Sequence, residues 1–283
     1  MIYADVSTSG DAAQMHSPSV GRDGYFESGD VRLHYLEYGS DGQPLVIVPG
    51  ITSPAITWGF IAEKLADGHR VIVLDVRGRG LSDKPTTGFT LPDYAADVAA
   101  LLGALDLDRA DVLGHSMGAR IAAAFGVLHP DLARRLVIVD PPLTGPGRPE
   151  YPTSLEAFME QLAKARECAT VEDMRPYFPS WDDEQLRLRA EWLPTCDETA
   201  VRETWLNFHS EDLFDYLRAL KPPVLFMYGG ESPAVSDEGA QEVHETNPSL
   251  EIACIPSAGH MIPWDNLDGF LSETRRFLTE NGG

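Results

Sequence analysis

Short aliphatic and β-branched runs alternate along this chain with stretches of helical periodicity. The runs are Val31–Tyr38, Pro44–Val48, Arg70–Leu74, Ala110–Gly114, Leu136–Val139, Pro223–Met227 and Leu250–Ile255. Within them Leu45–Val48, Val71–Leu74, Leu136–Val139 and Val224–Met227 contain no polar position. Strands covered on both faces read this way, so the pattern predicts the centre of a largely parallel sheet between helical layers. Ala95–Leu105, Met117–Leu128 and Phe270–Leu278 place apolar residues at helical spacing. Strand and helix in alternation are the mark of βα units.

The rhythm breaks between Leu143 and Ala219. A turn-rich run, Thr144-Gly-Pro-Gly-Arg-Pro-Glu-Tyr-Pro152, leads into helix-like segments punctuated by Pro176, Pro179 and Pro194, with no clear strand. Sheet rhythm resumes at Pro222-Pro223. The expected organisation is a helical cap over residues 143–219, inserted after the sixth strand of a core built from 23–142 and 220–283. Residues 1–22 are expected to form a polar flexible leader, within which Met15 is a second candidate start.

Charge narrows the partners. Asp and Glu number 44 against 22 Lys and Arg, a net charge of −22 over 283 residues. A field of that sign argues against nucleic acid or an anionic membrane as partner, and it requires a local cation wherever an anionic ligand is to bind. No run is apolar enough for a signal peptide or a membrane span. Cys168, Cys196 and Cys254 form no CxxC and no Cys/His cluster, so neither a disulfide framework nor a metal is expected, and a reducing, cytoplasmic setting is.

The chemistry centres on Gly114-His-Ser-Met-Gly118, which joins a strand-like run to a helix-like one. In that context G-x-S-x-G is a tight turn that lifts Ser116 above the sheet as a nucleophile, with glycines where a Cβ would collide. The Met117 N–H, at the helix start, is placed for a developing oxyanion. Serine at this turn removes chemistries that attack with a carboxylate.

Three further segments, Val48-Pro-Gly-Ile51, Asp75-Val-Arg-Gly-Arg-Gly-Leu-Ser82 and Ala258-Gly-His260, together with the Ser116 turn, resemble the α/β-hydrolase superfamily over roughly residues 25–280. The resemblance implies an eight-stranded, mostly parallel sheet with helices on both faces and an inserted helical cap. A narrower likeness, to the N-formylmaleamate deformylases of bacterial nicotinate degradation, rests on five stretches. They are Val48–Gly59, with its Pro-Gly-Ile-Thr-Ser run, Val139-Asp-Pro-Pro142, Asp183-Glu-Gln-Leu186, Leu188-Arg-Ala-Glu-Trp-Leu193 and Gly259–Asp265. It implies an amidohydrolase that acts on a small anionic formyl amide without cofactor or metal.

A serine hydroxyl needs a base, and the base needs an orienting carboxylate. Of eight histidines, His260 lies in the loop after the last strand, where a base reaches back to the turn. His115 points away, and His34, His69, His129 and His244 read as surface positions. For the acid there are two candidates. The usual position after the seventh strand falls in Gly229-Gly-Glu-Ser-Pro233, with Ser232 where an aspartate is customary and Glu231 one place away. Asp140 ends the sixth strand, and the deformylase likeness implies that it is the acid. The oxyanion hole would pair the Ile51 and Met117 N–H groups.

Substrate candidates are Thr52 and Ser53 beside the oxyanion strand and, in the cap, Arg189 ahead of Arg148, Arg175, Arg187 and Arg202, with Trp192 and His209. Competing readings are a carboxylesterase, lactonase or carbon–carbon bond hydrolase on the same scaffold, or a non-catalytic small-ligand receptor. Oligomeric state is not legible.

Overall fold

The computed structural model describes residues 21–279. Eight strands, β1 (Arg22–Ser28), β2 (Val31–Tyr38), β3 (Gln43–Val48), β4 (His69–Asp75), β5 (Ala110–His115), β6 (Ala133–Val139), β7 (Val224–Gly229) and β8 (Glu251–Ile255), form one sheet in the order β1-β2-β4-β3-β5-β6-β7-β8. β1 and β2 pair antiparallel with each other, and β2 with β4; every other pair is parallel. The fully apolar segments of β3, β4, β6 and β7 are almost completely excluded from solvent.

Helices α1 (Gly59–Leu65), α2 (Leu91–Ala104) and α3 (Met117–Leu128) follow β3, β4 and β5. Between β6 and β7 lie α4 (Leu155–Arg166), α5 (Val171–Met174), α6 (Asp183–Trp192), α7 (Glu198–Ser210) and α8 (Leu213–Ala219). The chain ends with α9 (Asp237–Thr246), α10 (Ile262–Asp265) and α11 (Leu267–Thr279). Each of the five helices between β6 and β7 starts on a side-chain cap, from Ser154, Thr170, Asp182, Asp197 and Asp212 in turn. Such caps satisfy N–H groups that a helix leaves unpaired and contribute about 1 kcal/mol each.

Arg120, fully buried on α3, ties this inserted segment to the core at both ends. Its Nη1 donates to the carbonyls of Pro142 and Thr144, and its Nη2 to that of Glu211. Burial lowers its pKa to about 10.

β1 is a strand that the hydrophobic pattern did not announce. Arg-Asp-Gly-Tyr-Phe-Glu-Ser buries only Phe26, as suits an edge strand held by its ladder to β2. The leader expected over residues 1–22 lies outside the described residues except for Gly21 and Arg22, and Arg22 already opens β1. Two histidines read as surface positions are buried: His34 bridges Asp75 at 2.7 Å and Asp23 at 2.9 Å, and His69 lies at the start of β4. Burial alone would lower the His34 pKa, but the two carboxylates outweigh it and raise it.

Candidate active site

The turn between β5 and α3 holds Ser116 at φ 56°, ψ −117°, a left-handed conformation costly for any residue with a side chain. It persists because the glycines on either side leave no alternative. A Cβ on Gly114 would lie 2.0 Å from the Gly118 carbonyl oxygen, and one on Gly118 would lie 1.8 Å from that of Val48. The turn therefore presses against β3, beside the Ile51 loop.

His260 reaches this turn from the loop between β8 and α10. Its Nδ1 lies 2.6 Å from Asp140 Oδ2, and its Nε2 lies 3.0 Å from Ser116 Oγ. The ionised carboxylate can only accept, so Nδ1 carries the proton and Nε2 accepts from the serine hydroxyl. His115 fixes the backbone behind the base, with its Nε2 2.8 Å from the His260 carbonyl. A carbonyl can only accept, so His115 is protonated there and its buried Nδ1 has no partner. Burial, with His260 nearby, lowers the His115 pKa to about 3.

Asp140 closes β6, is fully buried and also has positive φ (47°). Ser232 donates to its Oδ2 at 2.6 Å, and the Gly229 N–H to its Oδ1 at 3.3 Å. The side chain of Glu231 is exposed and joins none of these contacts. The structure thus brings Asp140, and not Glu231, to His260.

Met117 opens α3 directly after Ser116, and the loop that carries Ile51 and Thr52 is braced by two buried arginines. Arg79 donates from Nε to the Ile51 carbonyl at 2.9 Å. Arg189 donates from Nη1 to the Thr52 carbonyl and from Nη2 to Thr52 Oγ1 at 2.9 Å.

A cavity of about 190 Å³ opens over Ser116 and His260. Thr52, Ser53 and Arg189, three of the substrate candidates, line it. Trp192 and His209 do not. Trp192 sits at the C-terminal end of α6 and is not among the lining residues; the tryptophan that lines the site is Trp181, which stacks on Trp264 with ring centres 4.9 Å apart. His209 packs on Trp205, one turn back along α7, and its Nδ1 meets that residue's carbonyl at 3.0 Å.

Of the cap arginines considered, Arg148, Arg175 and Arg187 are paired with Glu242, Asp183 and Glu184/Glu191, and Arg202 is exposed. Arg189 differs from all of them. It is buried, its Nε has no partner, it makes no ion pair among the described residues, and burial lowers its pKa to about 10. It is also the only lysine or arginine lining the cavity among those residues.

The sequence reading missed Tyr151. Its hydroxyl lies 3.2 Å from His260 Nε2 and within hydrogen-bonding reach of Ser116. It sits in the proline-rich run that enters the inserted segment, where composition signals only a turn. Among the described residues no group of three or more His, Cys, Asp or Glu is arranged to hold a metal.

A strand–turn–helix serine, a histidine after the last strand and a carboxylate bridging to it define an α/β hydrolase. The chain belongs to the α/β-hydrolase-fold family, whose model matches residues 43–267. It is 44% identical to N-formylmaleamate deformylase of Pseudomonas putida over 90% of this chain and 96% of that one. The crystal structure of the N-formylmaleamic acid deformylase from Pseudomonas putida S16 superposes with a TM-score of 0.84 at 40% identity, over 90% of this chain and 99% of that one. The 2-(acetamidomethylene)succinate hydrolase of Mesorhizobium japonicum is 30% identical over 83% of this chain and 87% of its own.

Proposed function

We propose that this protein is a cofactor-independent serine amidohydrolase that cleaves N-formylmaleamate to maleamate and formate. Its likeness to deformylases over nine-tenths of the chain supports the reaction class. The observation that carries the substrate is Arg189, a buried guanidinium in the cavity that holds Ser116, without a carboxylate partner among the described residues. A buried cation favours an anion that accepts its remaining hydrogen bonds, and Arg189, which lines the cavity and spends one N–H of each Nη on Thr52, has further Nη–H groups for a carboxylate. The cavity volume falls below the roughly 300–1,000 Å³ of drug-sized sites, which suits a short acid amide. A dicarboxylate of the acetamidomethylene-succinate kind would call for a second cation beside Arg189.

In this reading Ser116 Oγ attacks the formyl carbon as its proton passes to His260 Nε2, and Asp140 holds the imidazolium by its Nδ1–H. The N–H groups of Ile51 and Met117 receive the oxyanion. The tetrahedral adduct collapses, the C–N bond breaks, and His260 returns the proton to the departing maleamate nitrogen. A water then enters, His260 takes its proton as the hydroxide adds to the formyl carbon, and the adduct collapses with the C–Oγ bond breaking, His260 returning the proton to Ser116 Oγ and formate leaving. The helices of residues 143–219 act as the cap over this chemistry. We place the enzyme in the cytoplasm, a setting that its free thiols Cys168, Cys196 and Cys254 fit; no helix among the described residues is long and apolar enough to cross a membrane.

The test is to incubate the purified protein with N-formylmaleamate and quantify formate and maleamate. One equivalent of each is expected per substrate consumed, with none released by Ser116→Ala. Unchanged substrate would refute the assignment.

A further inference from the structure

Two hydroxyls converge on one lone pair. With Nδ1 protonated toward Asp140, His260 Nε2 can accept once, yet two hydroxyls approach it: Ser116 Oγ at 3.0 Å and Tyr151 Oη at 3.2 Å. Tyr151 is buried, and its ring is fixed. It stacks parallel to Phe158 with centres 6.3 Å apart and meets the edge of Phe208 at 5.5 Å. Two aromatic neighbours hold the hydroxyl over the reacting atoms in place of a solvent-exposed alternative.

We propose that Tyr151 is a catalytic residue that donates a hydrogen bond to the leaving amide as its C–N bond breaks. This inference rests on the serine amidohydrolase reading above. The first proton transfer drives the switch. When Nε2 takes the serine proton it becomes a donor, and the Tyr151 hydroxyl loses the acceptor it faced there. Ser116 and Thr153 also lie within its reach, but the group that gains negative charge is the one Nε2–H faces, the leaving nitrogen with its conjugated carbonyl, and the hydroxyl turns to it. On cleavage the bonding electron pair passes to that nitrogen and spreads onto the carbonyl oxygen. The proton comes from His260, and Tyr151 stabilises the developing charge while keeping its own proton. Burial, the larger influence, and the Asp140 charge push its pKa up to about 12, so it remains a donor throughout the neutral range. An amide needs this help because its leaving group is a poor anion; an aryl oxide departs without it.

The experiment compares wild type with Tyr151→Phe, which keeps the ring and its packing, on two formyl donors that share one acyl group: N-formylmaleamate and 4-nitrophenyl formate. The expected result is a fall of about 10²-fold in kcat for the amide, with KM changed little and the ester rate preserved. The preserved ester rate also reports that the variant is folded. Equal losses on both donors would make Tyr151 a packing residue and overturn the proposal, and so would no loss on either. If wild type does not cleave N-formylmaleamate, the substrate reading fails separately. The same contrast is then read between 4-nitroformanilide and 4-nitrophenyl formate, with the same expected and overturning outcomes.

Discussion

Ser232 donates its hydroxyl to Asp140 Oδ2 at 2.6 Å, on the same oxygen that faces His260 Nδ1. The residue standing at the customary acid position after β7 thus hydrogen-bonds the carboxylate supplied by β6. Together with the Gly229 N–H, it satisfies a buried charge that would otherwise be costly to desolvate.

Replacing Asp140 with Asn should therefore lower kcat on the order of 10⁴-fold, because the amide can stabilise the wrong imidazole tautomer. Ser232→Ala should lose only about one hydrogen bond's worth, ~1 kcal/mol or roughly fivefold. Glu231→Ala should match wild type. Steady-state kinetics of the three variants check this, and a severe loss confined to Glu231→Ala would reassign the acid.

Arg189→Met should raise KM for N-formylmaleamate on the order of 10²-fold, the scale of a buried charge-assisted pair losing one partner. Its kcat should change less, because at the reacting formyl group the variant loses only the brace on Thr52. The uncharged methyl ester of the distal acid should show only that same kcat decrement, with its KM unchanged. An unchanged KM for the acid would transfer the anchor elsewhere.

His115 makes stability depend on pH. Its folded pKa of about 3 lies below the 6.5 of an unperturbed histidine, so between those values the unfolded chain binds a proton that the folded one does not. More protons bound when unfolded means that stability rises with pH through this window and is fully present above pH 6.5. At pH 4.5 the difference is about two pH units' worth, or about 3 kcal/mol. Denaturant titrations at pH 4.5 and 7 should show His115→Gln losing less stability than wild type on acidification. An identical pH dependence in the two proteins would contradict this.

The Ser116 turn was legible because its determinants are contiguous. Gly114, Ser116 and Gly118 carry their own steric reasons, and the flanking runs supply the strand and the helix. His260 is legible from its place after the last strand, whereas position leaves both Asp140 and Glu231 open and only the deformylase likeness points to Asp140. Tyr151 is not legible, because its partner lies 109 residues away and a tyrosine among prolines has no local signature of chemistry. Arg189 was ranked from its segment, but its burial and its grip on Thr52, 137 residues distant, come only from tertiary packing. Trp192 was expected from adjacency to Arg189. It lies three residues further along α6 and does not line the cavity; Trp181 does. β1 escaped because one buried residue, Phe26, in seven gives no period to read.

The most direct measurement is the ratio of kcat/KM for N-formylmaleamate to that for its distal methyl ester, with 4-nitrophenyl acetate as a neutral reference. A site built around Ser116, His260 and Arg189 should prefer the free acid on the order of 10²-fold or more and turn over the neutral acetate poorly. Preference for the neutral ester would contradict the deformylase assignment and leave an esterase on the same scaffold.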